Sequence, residues 1–378
     1  MTIDIVVLPG DGIGPEVTDE AVRVLDWFVQ HRAVPLRMQR RLFGSAAWAA
    51  ERSTMPDATW NAIMAADALL FGATGSLDQT HIPPDERRKG SLLRIRKGLD
   101  AFANLRPVKA QPALAESSPF KARTVAGTDM VIVRELTAGM YFGTPRGVET
   151  QPDGTRRGVN THSYTEAEIA RAARFAFELA RTRRGHVTSV DKANVMEAGR
   201  LWRDVVTEVH EAGYKDVTLE HMLADNCALQ LGRAPTRFDV VVTDNLFGDL
   251  LSDCAGAING SLGMLPSAAL SAPREDGRRR ALYEPVHGSA PDIAGKGIAN
   301  PLGAILSAAM LLRWTANAPA EADALEAAVQ AALDAGARTA DIAMPGETVL
   351  STRAMADAVI AALDAGLSEA VPEKRFAG

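Results

Sequence analysis

Val240-Val241-Val242-Thr243-Asp244-Asn245-Leu246-Phe247-Gly248-Asp249-Leu250-Leu251-Ser252-Asp253 joins a β-branched run to an amphipathic segment through a polar triplet. The valines favour a buried strand, and Thr-Asp-Asn stops it and caps a helix that begins at about Leu246. On that helix Asp249 and Asp253 stand four residues apart, so their carboxylates leave the same face about one turn from each other. Like charges at this spacing repel, and with no Lys or Arg between them the pair invites a compensating cation, which a hard divalent metal would supply. An isolated Asp-x-x-x-Asp is more often a solvated surface pair. Here the remaining helix faces are apolar, and Gly260 to Ser267 follows as a compact turn of the kind that approaches a ligand closely.

Outward from this stretch, 378 residues are too many for one small core, so two domains or one large α/β unit are expected. With 47% hydrophobic and 23% charged residues the composition is that of a soluble globular protein, and a net charge of -6 argues against a nucleic-acid partner. Cys227 and Cys254 have no zinc or disulfide spacing and read as reduced thiols. The first residues lack a basic region before a long apolar core, and the longest nearly apolar run, Ile305 to Leu312, is too short to span a bilayer. A cytoplasmic location with no membrane contact is the expectation.

Upstream, Ile3 to Leu8 reads as a buried strand entering Pro9-Gly10-Asp11-Gly12-Ile13-Gly14-Pro15-Glu16, with Pro15 in the first turn of a helix. The Gly-x-Gly-x-Gly spacing is not the dinucleotide fingerprint, and the next strand, Pro35 to Met38, does not end in an acidic residue, so the segment reads as a ligand-facing loop of a different fold. Ala68 to Phe71 is a strand ending at Gly72-Ala73-Thr74-Gly75, followed by loop to about Lys89 and then a basic helix. Most of its cations read as solvated. Arg96 on the helix and Arg106 in the next strand are placed to converge on a small polyanion, and Arg134 ends the strand Val131 to Glu135, where open sheets bind ligands. Tyr141 follows within reach of Arg134, and residues 144 to 161 form an exposed arm or hairpin.

Downstream of the arm, Thr165-Glu166-Ala167-Glu168 is a capping box for a helix to about Arg183. His186 to Ser189 is a strand ending at Asp191-Lys192-Ala193-Asn194. Lys192 is either a surface partner of Asp191 or, facing a cleft, a general base. A further strand, Val217 to His221, precedes Asp225. Residues 272 to 280 read as an exposed loop before Leu282-Tyr283-Glu284-Pro285, and His287 to Pro301 as a binding loop with a cap at Asn300. Two amphipathic helices rich in Ala and Leu close the chain.

Together, Gly10 to Glu16, Asn104-Leu105-Arg106-Pro107, Arg134-Glu135-Leu136-Thr137, Tyr141-Phe142-Gly143, Val190 to Asn194, Asn245 to Asp249 and His287 to Pro301 are similar, in order, to the motifs of the β-decarboxylating dehydrogenases of 3-hydroxy acids. The chain resembles this isocitrate/isopropylmalate dehydrogenase family over nearly its full length, the isopropylmalate branch most closely. The resemblance implies an α/β fold of two domains sharing one large mixed sheet, distinct from a Rossmann fold. Residues 1–101 and 262–378 would form one domain and 102–261 the other. It also implies a homodimer interlocked by the arm, with active sites completed by Lys192 and Asp225 of the partner subunit.

The same resemblance implies an NAD-dependent oxidative decarboxylation of 3-isopropylmalate, a step of leucine biosynthesis. Arg96, Arg106 and Arg134 would hold the substrate carboxylates, and Asp225, which would also face the substrate, would bind Mg2+ or Mn2+ with Asp249 and Asp253. Lys192 would be the base and Tyr141 the acid. Leu92 and Leu93 would line the pocket for the alkyl substituent. Gly72, Thr74, Glu284, His287, Gly288, Ser289, Ala290, Pro291, Asp292, Ile293 and Asn300 would form the cofactor site, Asp292 accepting from the adenosine ribose and repelling a 2′-phosphate. Arg88 and Lys89 stand where the family usually has an acidic residue. An unpaired charge beside two leucines would be costly to bury, so both cations are expected to face solvent. A tartrate, D-malate or other 3-alkylmalate dehydrogenase and a non-catalytic subunit of this fold stay open as alternatives.

Overall fold

Val240–Thr243 is a fully buried strand, and Asp244 caps the helix Asn245–Gly256 by accepting a hydrogen bond from the Phe247 N–H at 2.8 Å. The computed structural model describes residues 2–75 and 81–370. Within them the strands are β1 (Ile3–Gly10), β2 (Leu36–Arg40), β3 (Ala68–Ala73), β4 (Ala103–Lys109), β5 (Asp129–Glu135), β6 (Arg146–Thr150), β7 (Arg156–Asn160), β8 (His186–Asp191), β9 (Thr218–Leu223), β10 (Val240–Thr243), β11 (Pro266–Pro273) and β12 (Arg279–Pro285).

Ten of them build one mixed sheet in the order β2-β1-β3-β12-β11-β4-β5-β10-β8-β9. The outer strands pair in parallel on each side, and the central β12-β11-β4-β5 pairings are antiparallel, so the two parallel blocks point in opposite directions. Strands from residues 3–73 and 266–285 occupy one side of the sheet and strands from residues 103–243 the other.

Alternation of side chains along the strands sorts the core. One face carries a single continuous apolar cluster, from Ile5, Val7 and Leu70 through Leu105 and Val133 to Val187 and Val240, covered by helices that include Gly14–Arg32, Glu166–Arg181 and Leu302–Trp314. The opposite face carries two separate clusters. Val6, Leu8, Leu69 and Ala269 belong to one, and Val108, Ile132, Val190 and Val241 to the other. Between these two cores, on the central strands, the side chains are polar, and that interruption is where a site forms.

Three expectations need correction. Residues 84–89 are not loop: Pro84–Lys89 is helical, with Asp85 and Glu86 in its first turn and Arg87, Arg88 and Lys89 in its last, the arrangement that complements the helix dipole. Residues 76–80 of that expected loop lie outside the described residues. The turn thought to run to Ser267 ends earlier, because Pro266 opens β11, a central strand whose Ala- and Ser-rich sequence carries little β signal. A third helix, Leu302–Trp314, precedes the two closing helices Pro319–Asp334 and Thr352–Ala370 and is buried on most sides. The arm is a hairpin, β6 pairing antiparallel with β7, and nearly every residue in it is exposed.

Candidate active site

Register builds the polar row. Glu284 pairs with Ser267, Ala269 with Asn104, and Asn104 with Arg134, while Arg106 lies two residues along β4 on the same face as Asn104. The Asn104 amide donates to Ser267 Oγ at 2.9 Å, and Arg106 Nε donates to Asn104 Oδ1 at 3.0 Å. The row thus aims a buried guanidinium at the helix Asn245–Gly256.

That helix meets it with one face. Arg106 Nη1 donates to Ser252 Oγ at 2.7 Å and to Asp253 Oδ1 at 3.3 Å, and Nη2 reaches Asp249 Oδ1 at 3.3 Å. Arg134 Nη1 lies 2.5 Å from Asp249 Oδ1, while its Nε and Nη2 both donate to Asn245 Oδ1, at 2.9 and 2.7 Å. Asn245 is held in turn by its Nδ2 on the Ala138 carbonyl and by the Tyr164 hydroxyl, which accepts its backbone N–H. Tyr141 donates to Asp249 Oδ2 at 2.9 Å. The cations that compensate the aspartate pair therefore come from neighbouring strands. Ser252 and Asn245 were not singled out as site residues, although Asp249, Ser252 and Asp253 share the i, i+3, i+4 spacing of one helix face.

Electrostatics follow from this crowding. Arg134 is 2% and Arg106 8% exposed. Burial, with Arg106 close by, lowers the Arg134 pKa to about 10, and burial also lowers that of Arg106. Burial works against ionisation of Asp249, but Arg134, Arg106 and the Tyr141 hydroxyl outweigh it and hold its carboxyl below the usual range. Asp253 goes the other way: burial raises it, and Arg106 offsets only part. Its charge is undercompensated, so a hard cation held by the oxygens of Asp249 and Asp253 fits the donor set. Burial and the bond to Asp249 raise Tyr141, which keeps its phenol protonated at neutral pH.

Beside this cluster a cavity of about 140 Å³ is lined by Gly72, Thr74, Leu92, Arg96, Arg106, Glu284, His287 and Gly288, among others. Arg96 is spent on Glu284, Nη2 to Oε1 at 2.8 Å, while Arg96 Nε and His287 Nε2 are buried without partners. Leu93 is half-buried and Leu92 packs on the apolar core of this side. Arg88 pairs with Asp85, and Lys89 turns to Ser53 Oγ at 3.0 Å and Glu86 at 3.7 Å, so both are occupied away from the cavity.

The Gly10–Glu16 segment was expected to face a ligand. It chiefly holds the downstream loop: Ile13 N–H donates to the Ser289 carbonyl at 2.8 Å, a Cβ on Gly12 would lie 1.9 Å from that same oxygen, and Glu16 accepts from the N–H groups of Gly295 and Gly297. Gly72 is glycine for a similar reason, since a Cβ there would meet the Pro9 carbonyl at 2.3 Å. The cradle so formed carries Ala290 at φ 36°, a left-handed conformation that costs a non-glycine residue energy and recurs at ligand sites. Pro291 and Asp292 are exposed, Ile293 is half-buried, and Asp292 makes no ion pair among the described residues. Asn300 Oδ1 accepts from the Leu302 N–H at 3.0 Å and its amide donates to Asp341, but the N-cap position of the helix Leu302–Trp314 is Pro301, so the cap expected at Asn300 falls one residue later.

Lys192 and Asp225 are not joined to this cluster within one chain. Lys192 Nζ pairs with Asp225 Oδ1 at 2.6 Å, and the buried Asp191, thought of as its surface partner, is taken by Arg203. Lys192 follows β8, two strands beyond β5, which puts it about 10 Å from the Arg134 strand. No three metal-ligating side chains come together among the described residues.

The chain matches the family described as isocitrate/isopropylmalate dehydrogenase over residues 4–359. It is 58% identical to 3-isopropylmalate dehydrogenase 1 of Bradyrhizobium diazoefficiens, covering 96% of each chain, and 53% identical to 3-isopropylmalate dehydrogenase of Gluconobacter oxydans, covering 94% of this chain and 96% of that one. Among solved structures it is similar to isocitrate dehydrogenase from Methylococcus capsulatus, with a TM-score of 0.82, 32% identity and 96% and 99% coverage. A β-decarboxylating dehydrogenase from Thermococcus kodakarensis has a TM-score of 0.76 and 36% identity, with 99% and 100% coverage.

Proposed function

The chain belongs to the isocitrate/isopropylmalate dehydrogenase family, and we propose that it catalyses the NAD-dependent oxidative decarboxylation of 3-isopropylmalate to 4-methyl-2-oxopentanoate and CO2, in leucine biosynthesis. One observation carries the reading. Arg106 and Arg134 converge on Asp249, Asp253 and Tyr141 beside a cavity that Leu92 lines and that Arg88 and Lys89 leave free of added charge.

NAD bound at the His287–Asn300 cradle would supply the hydride acceptor, and Mg2+ or Mn2+ held by Asp249, Asp253 and the partner subunit's Asp225 would supply Lewis acidity at the C2 oxygen. Arg96, Arg106 and Arg134 hold the two carboxylates, exchanging their present partners Glu284, Asp249 and Asp253 for substrate oxygens of the same charge. The partner subunit's Lys192 takes the hydroxyl proton, and its chemistry requires release from its 2.6 Å contact with Asp225. Tyr141 keeps its proton at neutral pH and delivers it to C3 after CO2 leaves. The His287–Asn300 cradle receives the adenosine end, where the uncommitted Asp292 favours a free ribose over a 2′-phosphate.

Sharing of sites rests on two supports. Lys192 and Asp225 stand apart from the Asp249 cluster, and Val148, Val195, Leu229 and Leu250 are 73%, 68%, 54% and 57% exposed on the arm, beside Lys192, and on two helices of the same side. Large apolar side chains left open in this way call for a partner surface, and a second copy is the partner proposed. The two sides of the sheet support treating residues 1–101 and 262–378 as one domain and 102–261 as the other. No helix among the described residues is long and apolar enough to cross a membrane, and the proposed location is the cytoplasm.

The test compares kcat/KM for 3-isopropylmalate, D-malate, D-tartrate and isocitrate with NAD and Mn2+. Each methylene buried against Leu92 and Leu93 adds about 1 kcal/mol of preference, so the isopropyl compound should lead malate by more than about 10-fold. A higher value for isocitrate or tartrate refutes the substrate, and full turnover in EDTA refutes the metal.

A further inference from the structure

Behind the arginine row, on the other face of the sheet, lies a second cavity of about 650 Å³. Its apolar lining includes Leu105, Val131, Met264, Leu306, Met310 and Trp314, residues from β4, from β5, from the turn before β11 and from the helix Leu302–Trp314. Strand alternation points Leu105 away from Asn104 and Arg106, so this space is separate from the cavity beside Arg96. Most charges at its rim are spent. Arg183 is held by Asp129 and Asp239, and Arg313 by Asp323 and Glu326.

Three polar groups are not. Lys109, at the end of β4, is exposed and makes no ion pair among the described residues. Asn259 lines the cavity at 5% exposure, and its Oδ1 has no hydrogen-bond partner. Gln111 Oε1, two residues beyond Lys109, is likewise buried and unpartnered. The Ala257–Asn259 turn packs against β4, the strand that Lys109 ends and Gln111 follows. A buried amide oxygen without a donor is unfavourable, and turning the amide toward a donor held in the cavity relieves that.

The geometry points to a binding site for an α-amino acid with an apolar side chain, and we propose this as a second, non-catalytic ligand site. Two orphan acceptors call for a group with several N–H donors, which an ammonium supplies once the amides turn toward it. A free lysine calls for a carboxylate, and the Met, Leu and Trp floor calls for an alkyl or thioether side chain. A charged side chain does not fit that floor.

Trp314 provides an internal probe. Titration of the full-length protein with L-leucine and L-methionine, followed by tryptophan fluorescence and calorimetry, should show saturable binding at millimolar concentrations. L-glutamate, isoamylamine and 4-methylpentanoate, lacking the apolar side chain, the carboxylate and the ammonium respectively, should each bind at least about 10-fold more weakly. Lys109→Met, a surface change that leaves the fold intact, and Asn259→Leu should each weaken L-leucine binding by about the same factor, with NAD reduction in the absence of amino acid unchanged for Lys109→Met. No binding of either amino acid at about 10 mM, equal binding of the truncated analogues, or indifference to Lys109→Met overturns the proposal and leaves a cavity that holds water.

Discussion

Gly248→Ala isolates the geometry of the arginine pair from its chemistry. A Cβ at this position would lie 2.6 Å from Arg134 Cγ and 2.7 Å from its Cβ, where ordinary carbon contacts are about 3.5–4.0 Å. The Arg134 side chain must therefore retreat by about 1 Å, and it cannot do so while keeping Nε and Nη2 on Asn245 and Nη1 on Asp249. Alanine in a helix interior gains about 1 kcal/mol over glycine, the overlap costs about 1–3 kcal/mol and weakened bonds of Arg134 to Asn245 and Asp249 about 1.5–3 kcal/mol more, so the variant is destabilised by a few kcal/mol, which lowers the melting temperature of so long a chain by only a few degrees. A 1 Å misplacement of a positioning group costs about 100-fold in rate, or about 2.7 kcal/mol. The variant should keep its melting temperature to within a few degrees, by calorimetry, and lose about 100-fold in kcat/KM for 3-isopropylmalate, with KM raised because Arg134 holds a carboxylate. A kcat/KM within about threefold of the parent would show that Arg134 does not depend on this contact, and the argument from close packing would fail.

Opposite pKa displacements at the two helix carboxylates give a signed test in metal-free buffer. Asp249 sits below its ordinary value, so its stabilisation is present above the unfolded carboxylate pKa and lost as pH falls through the lower folded value; Asp249→Asn should melt lower than the parent at pH 7 and converge with it in acid. Asp253 sits above its ordinary value, so Asp253→Asn should melt higher at pH 7 and lose that advantage as pH drops below the unfolded value, and the reverse order of melting temperatures refutes the assignment. Lys192→Ala and Asp249→Ala, each inactive alone, should regain partial turnover when refolded together, because one site of a mixed dimer then has both groups; absence of recovery in proven hetero-dimers puts Lys192 in its own subunit's site. Asp292→Lys combined with Ile293→Ala should shift the NADP/NAD ratio of kcat/KM upward by at least about 10-fold as repulsion of the phosphate becomes attraction, and an unchanged ratio locates cofactor choice elsewhere.

What the chain alone determines is whatever depends on near neighbours. The strand-to-helix turn at Thr243–Asn245, the Thr165–Glu168 capping box, the hairpin of the arm and the same-face placement of Asp249 and Asp253 rest on periodicity and capping chemistry within a few residues, and the structure has them all. Pro84–Lys89 was missed because polar composition hid a short helix whose ends are matched to its dipole. β11 was missed because its stability comes from two neighbouring strands and not from its own small side chains. Partnership is likewise a tertiary property. That Arg106 and Arg134 neutralise the aspartates, that Asn245 fixes Arg134, that Glu284 occupies Arg96 and that Lys192 turns to Asp225 all depend on residues separated by 33 to 188 positions. Strand order brings those groups to one gap between two apolar cores, and no local pattern encodes which strand lies beside which.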